Sequence, residues 1–329
     1  MKRKVLRLVI FYATHLLGWL HAQNASVYVC DAGNFNNGPW QILQFDGNGE
    51  NGQVFIDDHL AWPQDILFLE DKNIVLISNY NSGRISKFNA TTGDFIGEFA
   101  TGVGGPTRME IGPEGLLYVL QAAGNGRVRR YDLDGSLVDE LTTVGVSNSI
   151  GIDWDADGNF YVSSYTDANV RKFSPTGAHL GLFINSNLAE PTNIWFAENG
   201  DLLVLDFDGA AVKRFDKDGA YLGVFIAGLP QCEGVEFLPN GNLLIGSGGT
   251  SSVREYDSDG NFLGNFVSPG TLGLLTPNAI VLRNGNSTAT QQIPHRNLKL
   301  LTPSADFFQI SKPEKWGDET THWFTMLPE

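Results

Sequence analysis

Two rows of polar residues recur along this 329-residue chain at nearly constant spacing. The first row is Gln64-Asp65, Thr107-Arg108, Ser149-Ile150, Thr192-Asn193, Glu233-Gly234 and Asn278-Ala279. The second is Asp31, Asn79, Gln121, Ser164, Asp206 and Ser247, and every member of it is polar. Rows of carboxylate, amide and hydroxyl oxygens can take a polar ligand or a hard cation. They can equally be consumed by nearby backbone and trapped water, as polar groups at strand ends usually are. Asp31, Asn79, Arg108, Gln121, Asn193, Glu233 and Asn278 are the candidate ligand-binding residues.

Other chemistries find little support. There is no H-x-x-x-H pair, no G-x-S-x-G elbow and no phosphate-binding loop. Neither polar row contains a His. Runs of the form D-x-D-G at Asp132, Asp155, Asp216 and Asp257 resemble the start of a calcium loop. Position 12 counted from Asp155 is Thr166 where the loop needs Glu, so these runs read as hairpin turns.

The elements that position both rows are clearest in residues 190–228. Four short apolar runs lie there: Ile194–Phe196, Leu202–Leu205, Val212–Phe215 and Tyr221–Ile226. Asn199-Gly200, Asp208-Gly209 and Asp218-Gly219 separate them. Each run suits a strand and is too short for a helix, and the dipeptides supply the positive φ of tight hairpins. The stretch is thus a four-stranded antiparallel meander. It is copied along the chain, with Pro191 matched by Pro63, Pro106, Asn148, Cys232 and Pro277 at spacings of 43, 42, 43, 41 and 45 residues. Most copies end on a pair such as Ile96/Phe99, Leu180/Phe183, Leu222/Phe225 or Leu263/Phe266. Four strands repeated at this period predict a β-propeller.

Residues 26–57 hold three strands with no inner strand before them, and Pro277–Leu282 is an inner strand with none after it. Together they complete one blade. The expectation is an all-β, six-bladed β-propeller of four-stranded antiparallel blades, closed by one C-terminal plus three N-terminal strands. Closure removes the strand edges that an open ring would expose.

Outside the repeat, residues 1–22 have the basic start, apolar middle and small-residue end of a secretory signal, with cleavage after Ala22. The expected organisation is a signal peptide (1–22), a propeller (23–285) and a linker with tail (286–329). Losing Lys2, Arg3, Lys4 and Arg7 removes four of the 22 basic residues and none of the 37 acidic ones, leaving a formal charge of −19. Such a surface argues against nucleic acid and anionic membrane as partners. A secreted or cell-surface monomer (periplasmic or extracellular) without a membrane span is expected. Cys30 and Cys232 fall in different strand layers of different blades, which predicts two buried free thiols rather than a disulfide.

The segments G-R-I-S-K-F (83–88), G-R-V-R-R-Y-D (126–132), A-A-V-K-R-F-D-K-D-G (210–219) and S-V-R-E-Y-D-S-D-G (252–260) resemble those of NHL-repeat six-bladed propellers. More loosely, the repeat resembles gluconolactonase/regucalcin-like and virginiamycin-B-lyase-like propellers. The tail segment L-K-L-L-T-P-S-A-D-F-F-Q-I-S (298–311) resembles the start of a type IX secretion sorting domain. Resemblance to gluconolactonase-like proteins implies that Cys232-Glu233-Gly234-Val235 carries a metal-ligating Glu, and that Asn193, Asn278 and Asp206 complete the set around a divalent cation (Ca or Zn). Hydrolysis of a lactone there would use the metal to polarise the carbonyl and Asp65 or Asp206 as catalytic base. The lyase-like group uses a channel His, which neither row supplies. The leading expectation is therefore a binding module without a cofactor, whose partner is a protein, a glycan or a small molecule. The alternative is a metal-dependent lactonase-like hydrolase.

Overall fold

The structure, a computed structural model, describes residues 25–284. The expected signal, linker and sorting tail lie outside these residues. Among the described residues no helix is long and apolar enough to cross a membrane.

Six four-stranded antiparallel sheets form the blades of a propeller. Blades 1 to 5 begin with the inner strands Pro63–Leu69, Pro106–Ile111, Ser149–Trp154, Pro191–Phe196 and Cys232–Phe237. Blade 6 is the composite: Pro277–Asn284 pairs with Ala25–Asp31, which is followed outward by Gln41–Asp46 and Gln53–Ile56. The closing pair runs from Ala25↔Asn284 to Asp31↔Pro277. One sequence match shifts. Ser149, not Asn148, pairs with Ser164 as Pro191 pairs with Asp206. Asn148 is the loop residue before the strand, with φ 42°. It matched Pro191 by spacing alone, which is blind to a one-residue change in loop length.

The inner and second strands are apolar at successive positions because both faces of each sheet are covered. In blade 1, Ile66, Phe68 and Ile77 pack against Tyr28, Cys30 and Ile42 of blade 6. The alternate residues Leu67, Leu69 and Leu76 pack against Met109, Val119 and Tyr131 of blade 2. Each such buried side chain contributes about 1.5–3 kcal/mol. Cys30 lies in the layer between blades 6 and 1 and Cys232 in that between blades 4 and 5. Both are free and buried, and burial raises both thiols, Cys232 to about 12.

The D-x-D-G runs close hairpins. Asp216 Oδ1 accepts from the N–H groups of Asp218 and Ala220 at 2.9 Å, and Gly219 has φ 83°. The hairpin at Asp208-Gly209 works differently. Its left-handed residue is Ala210, φ 49°, at the position that Gly83, Gly126, Ala168 and Ser251 hold in other blades. Gly209 is needed for space, because a Cβ there would lie 2.3 Å from Asp206 Oδ2. The hydrophobic pairs of the outermost strands also split in two. Leu222 is 54 % exposed on the rim, whereas Phe225 packs inward. Between them Gly223, at φ 134°, sits where the register shifts. A bulge of this kind twists an unpaired edge away from edge-to-edge association.

Candidate functional site

All six inner strands run away from the same face of the ring, here called the mouth. Each carries a one-residue bulge directly after its first residue, as between Pro106 and Met109 or Cys232 and Val235. A bulge re-aims side chains. Here it brings the first polar row round to the channel, in strands that would otherwise alternate strictly.

The second row does one task with different chemical groups. Asn79 Oδ1 accepts from Ala61 N–H (2.8 Å), and Gln121 Oε1 from Gly104 N–H (3.0 Å). The hydroxyls of Ser164 and Ser247 donate to the carbonyls of Ser147 (2.7 Å) and Pro230 (2.9 Å). Asp206 accepts from Ala189 and Glu190, and Asp31 from Gly33, Leu275 and Thr276. Each side chain thus clamps the loop that delivers the inner strand of its own blade. Asp206 also pairs with Lys213 at 2.6 Å.

Part of the first row joins blades. Thr107 Oγ1 donates to the Ser149 carbonyl (2.7 Å), Thr192 Oγ1 to that of Cys232 (2.8 Å), and Asn278 Nδ2 to that of Pro63 (2.9 Å). Ser78 and Ser163 donate across two further interfaces, to Thr107 and Thr192 carbonyls. Between blades 5 and 6 close approach of backbone does the joining. A Cβ on Gly246 would lie 2.0 Å from the Pro277 carbonyl oxygen.

The remaining members meet inside the channel. Arg108, from blade 2, pairs with Asp65 of blade 1 at 2.9 Å and is 8 % exposed. Its Nη2 donates to the Asn278 carbonyl of blade 6 at 3.4 Å. Asp65 also accepts from Met109 N–H at 2.7 Å. Glu233, on the opposite blade 5, lies within Coulombic range of both members of this pair. Burial raises its carboxyl from 4.5 to about 7, Arg108 pulls it down and Asp65 pushes it up. Burial opposes the Arg108 charge, but Asp65 and Glu233 outweigh it and keep the guanidinium protonated. Four buried atoms of this region have no hydrogen-bond partner: Arg108 Nε, Ser149 Oγ, Glu233 Oε1 and Asn278 Oδ1.

This arrangement can be tested against the divalent cation that the lactonase resemblance implies. Glu233 and Asn278 each offer an open oxygen. The other two members fit poorly. Asp206 is engaged by Lys213 and two N–H groups, and Asn193 Oδ1 accepts from Ile194 N–H at 3.0 Å. A guanidinium already stands in the field of Glu233. The donor set therefore does not fit a divalent ion. Among the described residues no cluster of three His, Cys, Asp or Glu could hold a metal.

Further along the inner strands, two carboxylates outside the polar rows bind across blades. Asp153 Oδ2 accepts from Phe196 N–H (2.7 Å) and Glu236 Oε2 from Leu282 N–H (2.8 Å). With Asp65 on Met109, an acid of blades 1, 3 and 5 holds a backbone N–H of blades 2, 4 and 6. The available signal was an acid inside an apolar inner strand, as in Ile152-Asp153-Trp154 and Val235-Glu236-Phe237. The mouth also carries aromatic side chains. Trp62, at φ 55°, packs on Tyr80 (4.7 Å) and Phe35 (5.8 Å), and Tyr165 meets Phe207 (5.8 Å). All five are partly exposed. By blade order, the two groups stand on opposite sides of the mouth. His59 and His179 are exposed; His59 stacks on Phe95 and His179 lies tilted against Phe173, away from the channel residues.

The fold is shared by solved structures of distant sequence. A chain of a nidogen/laminin complex is 15 % identical, with a TM-score of 0.63 over 80 % of this chain and 100 % of its own length. A Bacteroides caccae protein of unknown function is 16 % identical, with a TM-score of 0.62 over 79 % of this chain and 98 % of its own. A protein provisionally described as a gluconolactonase is 17 % identical, with a TM-score of 0.57 over 68 % of this chain and 81 % of its own. At these identities the likeness establishes the propeller fold. No protein-family model matches the chain, and no curated protein matches its sequence.

Proposed function

We propose that this chain is a secreted, NHL-like propeller that binds a partner at the mouth and performs no reaction there. The observation that carries this reading is the pair of aromatic groups, Phe35/Trp62/Tyr80 and Tyr165/Phe207, facing each other across the mouth while partly open to solvent. Large rings held in place by their neighbours offer contact area at small entropic cost. Trp62 adopts a left-handed conformation that a bulky residue holds only at some cost, and such strain concentrates at binding sites. Beneath the rings, the second polar row is spent on holding loops and Arg108 is paired with Asp65, so binding suits the site better than hydrolysis. The neighbour from a nidogen/laminin complex supports a protein as the partner class, with a glycan as the other candidate.

The test uses mature protein against a panel of extracellular proteins and glycans. The double variant Trp62→Ala/Tyr80→Ala is expected to lose binding by tenfold or more, as truncated anchor residues do. Leu222→Ser/Leu263→Ser, on the rim, is expected to keep it. A partner held equally well by wild type and the mouth variant would refute the reading.

A further inference from the structure

The channel contains a cation that belongs to the protein itself. The guanidinium of Arg108 enters from blade 2, pairs with Asp65 of blade 1 and reaches the Asn278 carbonyl of blade 6. Glu233 of blade 5, itself buried, lies within Coulombic range of it. Three other blades thus place oxygen atoms around one positive group. The oxygens left open, Glu233 Oε1 and Asn278 Oδ1, have no hydrogen-bond partner and belong to residues 7 % and 1 % exposed. An unpaired carboxylate oxygen in such a place is costly unless a positive charge lies near it, and Arg108 supplies that charge through space.

We propose that Arg108 is the resident cation of this channel, standing where a divalent ion would otherwise be needed, and that Asp65, Glu233 and Asn278 form a latent oxygen-donor cation site that opens when its side chain is removed. The proposed set differs from the one that lactonase resemblance implies. It takes Asp65 in place of Asp206, which Lys213 already neutralises, and in place of Asn193, whose oxygen is occupied. Removing the Arg108 side chain leaves a space bordered by two carboxylates and two oxygens of Asn278, all hard donors suited to Ca²⁺ or Mn²⁺. The inference concerns charge balance inside the ring. It goes beyond the binding reading and stands or falls independently of it.

The experiment compares full mature wild type, Arg108→Ala, Arg108→Lys and Arg108→Ala/Glu233→Gln at pH 8. Each is titrated calorimetrically with Mn²⁺ and with Ca²⁺, and melted with either ion or with a chelator. Wild type is expected to bind neither ion saturably and to melt at the same temperature in chelator. Arg108→Ala should melt lower in chelator, regain much of the loss with metal and bind one Mn²⁺ saturably. Arg108→Lys keeps the positive charge and should take no ion, and the double variant should lose the gained site. Stoichiometric metal in wild type that Glu233→Gln removes would overturn the proposal. So would a folded Arg108→Ala protein that takes no metal. If Arg108→Ala does not fold, Arg108→Met replaces it with a side chain of similar length and no charge, and the same two outcomes decide.

Discussion

Glu233 makes the stability of this ring depend on pH in a direction opposite to that of most carboxylates. Its surroundings are Arg108 and Asp65, with the Cys30 thiol and the Tyr165 hydroxyl also within its electrostatic reach. Burial dominates and lifts its carboxyl from 4.5 to about 7. The folded protein therefore holds this proton where the unfolded chain has released it. The stabilisation is complete below about 4.5 and is lost as pH rises through about 7. A shift of this size corresponds to ~3 kcal/mol for a nearly buried group. For a domain of this size that is roughly 6–12 °C in melting temperature. The perturbation is Glu233→Gln, which keeps shape and removes the titration. Urea denaturation of both proteins from pH 5 to pH 8.5 provides the assay. The variant should gain on wild type chiefly between pH 5 and pH 7 and level off above that, by most of that ~3 kcal/mol at pH 8.5. Parallel stability curves over this range would refute the assignment of a raised carboxyl to Glu233. Glu236, lifted to about 7 by burial and partly restrained by the Leu282 and Phe237 N–H groups, should behave in the same direction. Its effect should be smaller, because its side chain is only partly buried.

Other substitutions probe the ring joints and loop clamps. Asn79→Ala leaves the Ala61 N–H without its partner and should cost ~1–3 kcal/mol, read from urea midpoints. Thr192→Val removes the hydroxyl that bridges to Cys232 and should cost about 1–2 kcal/mol, with no change in overall fold by circular dichroism. In the blade 4 hairpin, adjacent changes should act oppositely. Ala210→Gly relieves a left-handed alanine and should stabilise by up to ~1 kcal/mol, whereas Gly209→Ala drives a methyl into Asp206 and should destabilise. Both thiols should resist a thiol reagent in the native state and react on unfolding, because burial raises them. Rapid native-state labelling of Cys232 would contradict its position between blades 4 and 5.

The repeat was legible because each level of the sequence agrees with the others: apolar runs of strand length, turn dipeptides and a near-constant period. The composite blade followed from counting strands at the two ends of the repeat. The interior was less legible for physical reasons. Asp206 and Lys213 lie seven residues apart on neighbouring strands, and only the register places them in contact. Arg108 sat in the polar row as one candidate among many, and nothing local says that it crosses to blade 6. The inner-strand bulges carry no residue signature of their own, yet they decide which side chains face the channel. The functional weight given to the second polar row came from its regularity. Its geometry accounts for that regularity through the backbone, since every blade must hold the same loop.

The composite blade has a consequence for how the molecule is presented. Ala25 pairs with Asn284 at the end of the sheet far from the mouth, whereas Asp31 pairs with Pro277 beside it. Ala25 and Asn284, the ends of the described ring, therefore lie side by side on the face opposite Trp62 and Tyr165. A tether attached at Ala25 or at Asn284, or at both, would hold the propeller like a cup on a stem, its opening turned outward. Pulling on the two flanks in opposite directions would load the Ala25–Asp31 and Pro277–Asn284 strands directly. Mechanical opening of the ring should begin at that seam, before any other blade is disturbed.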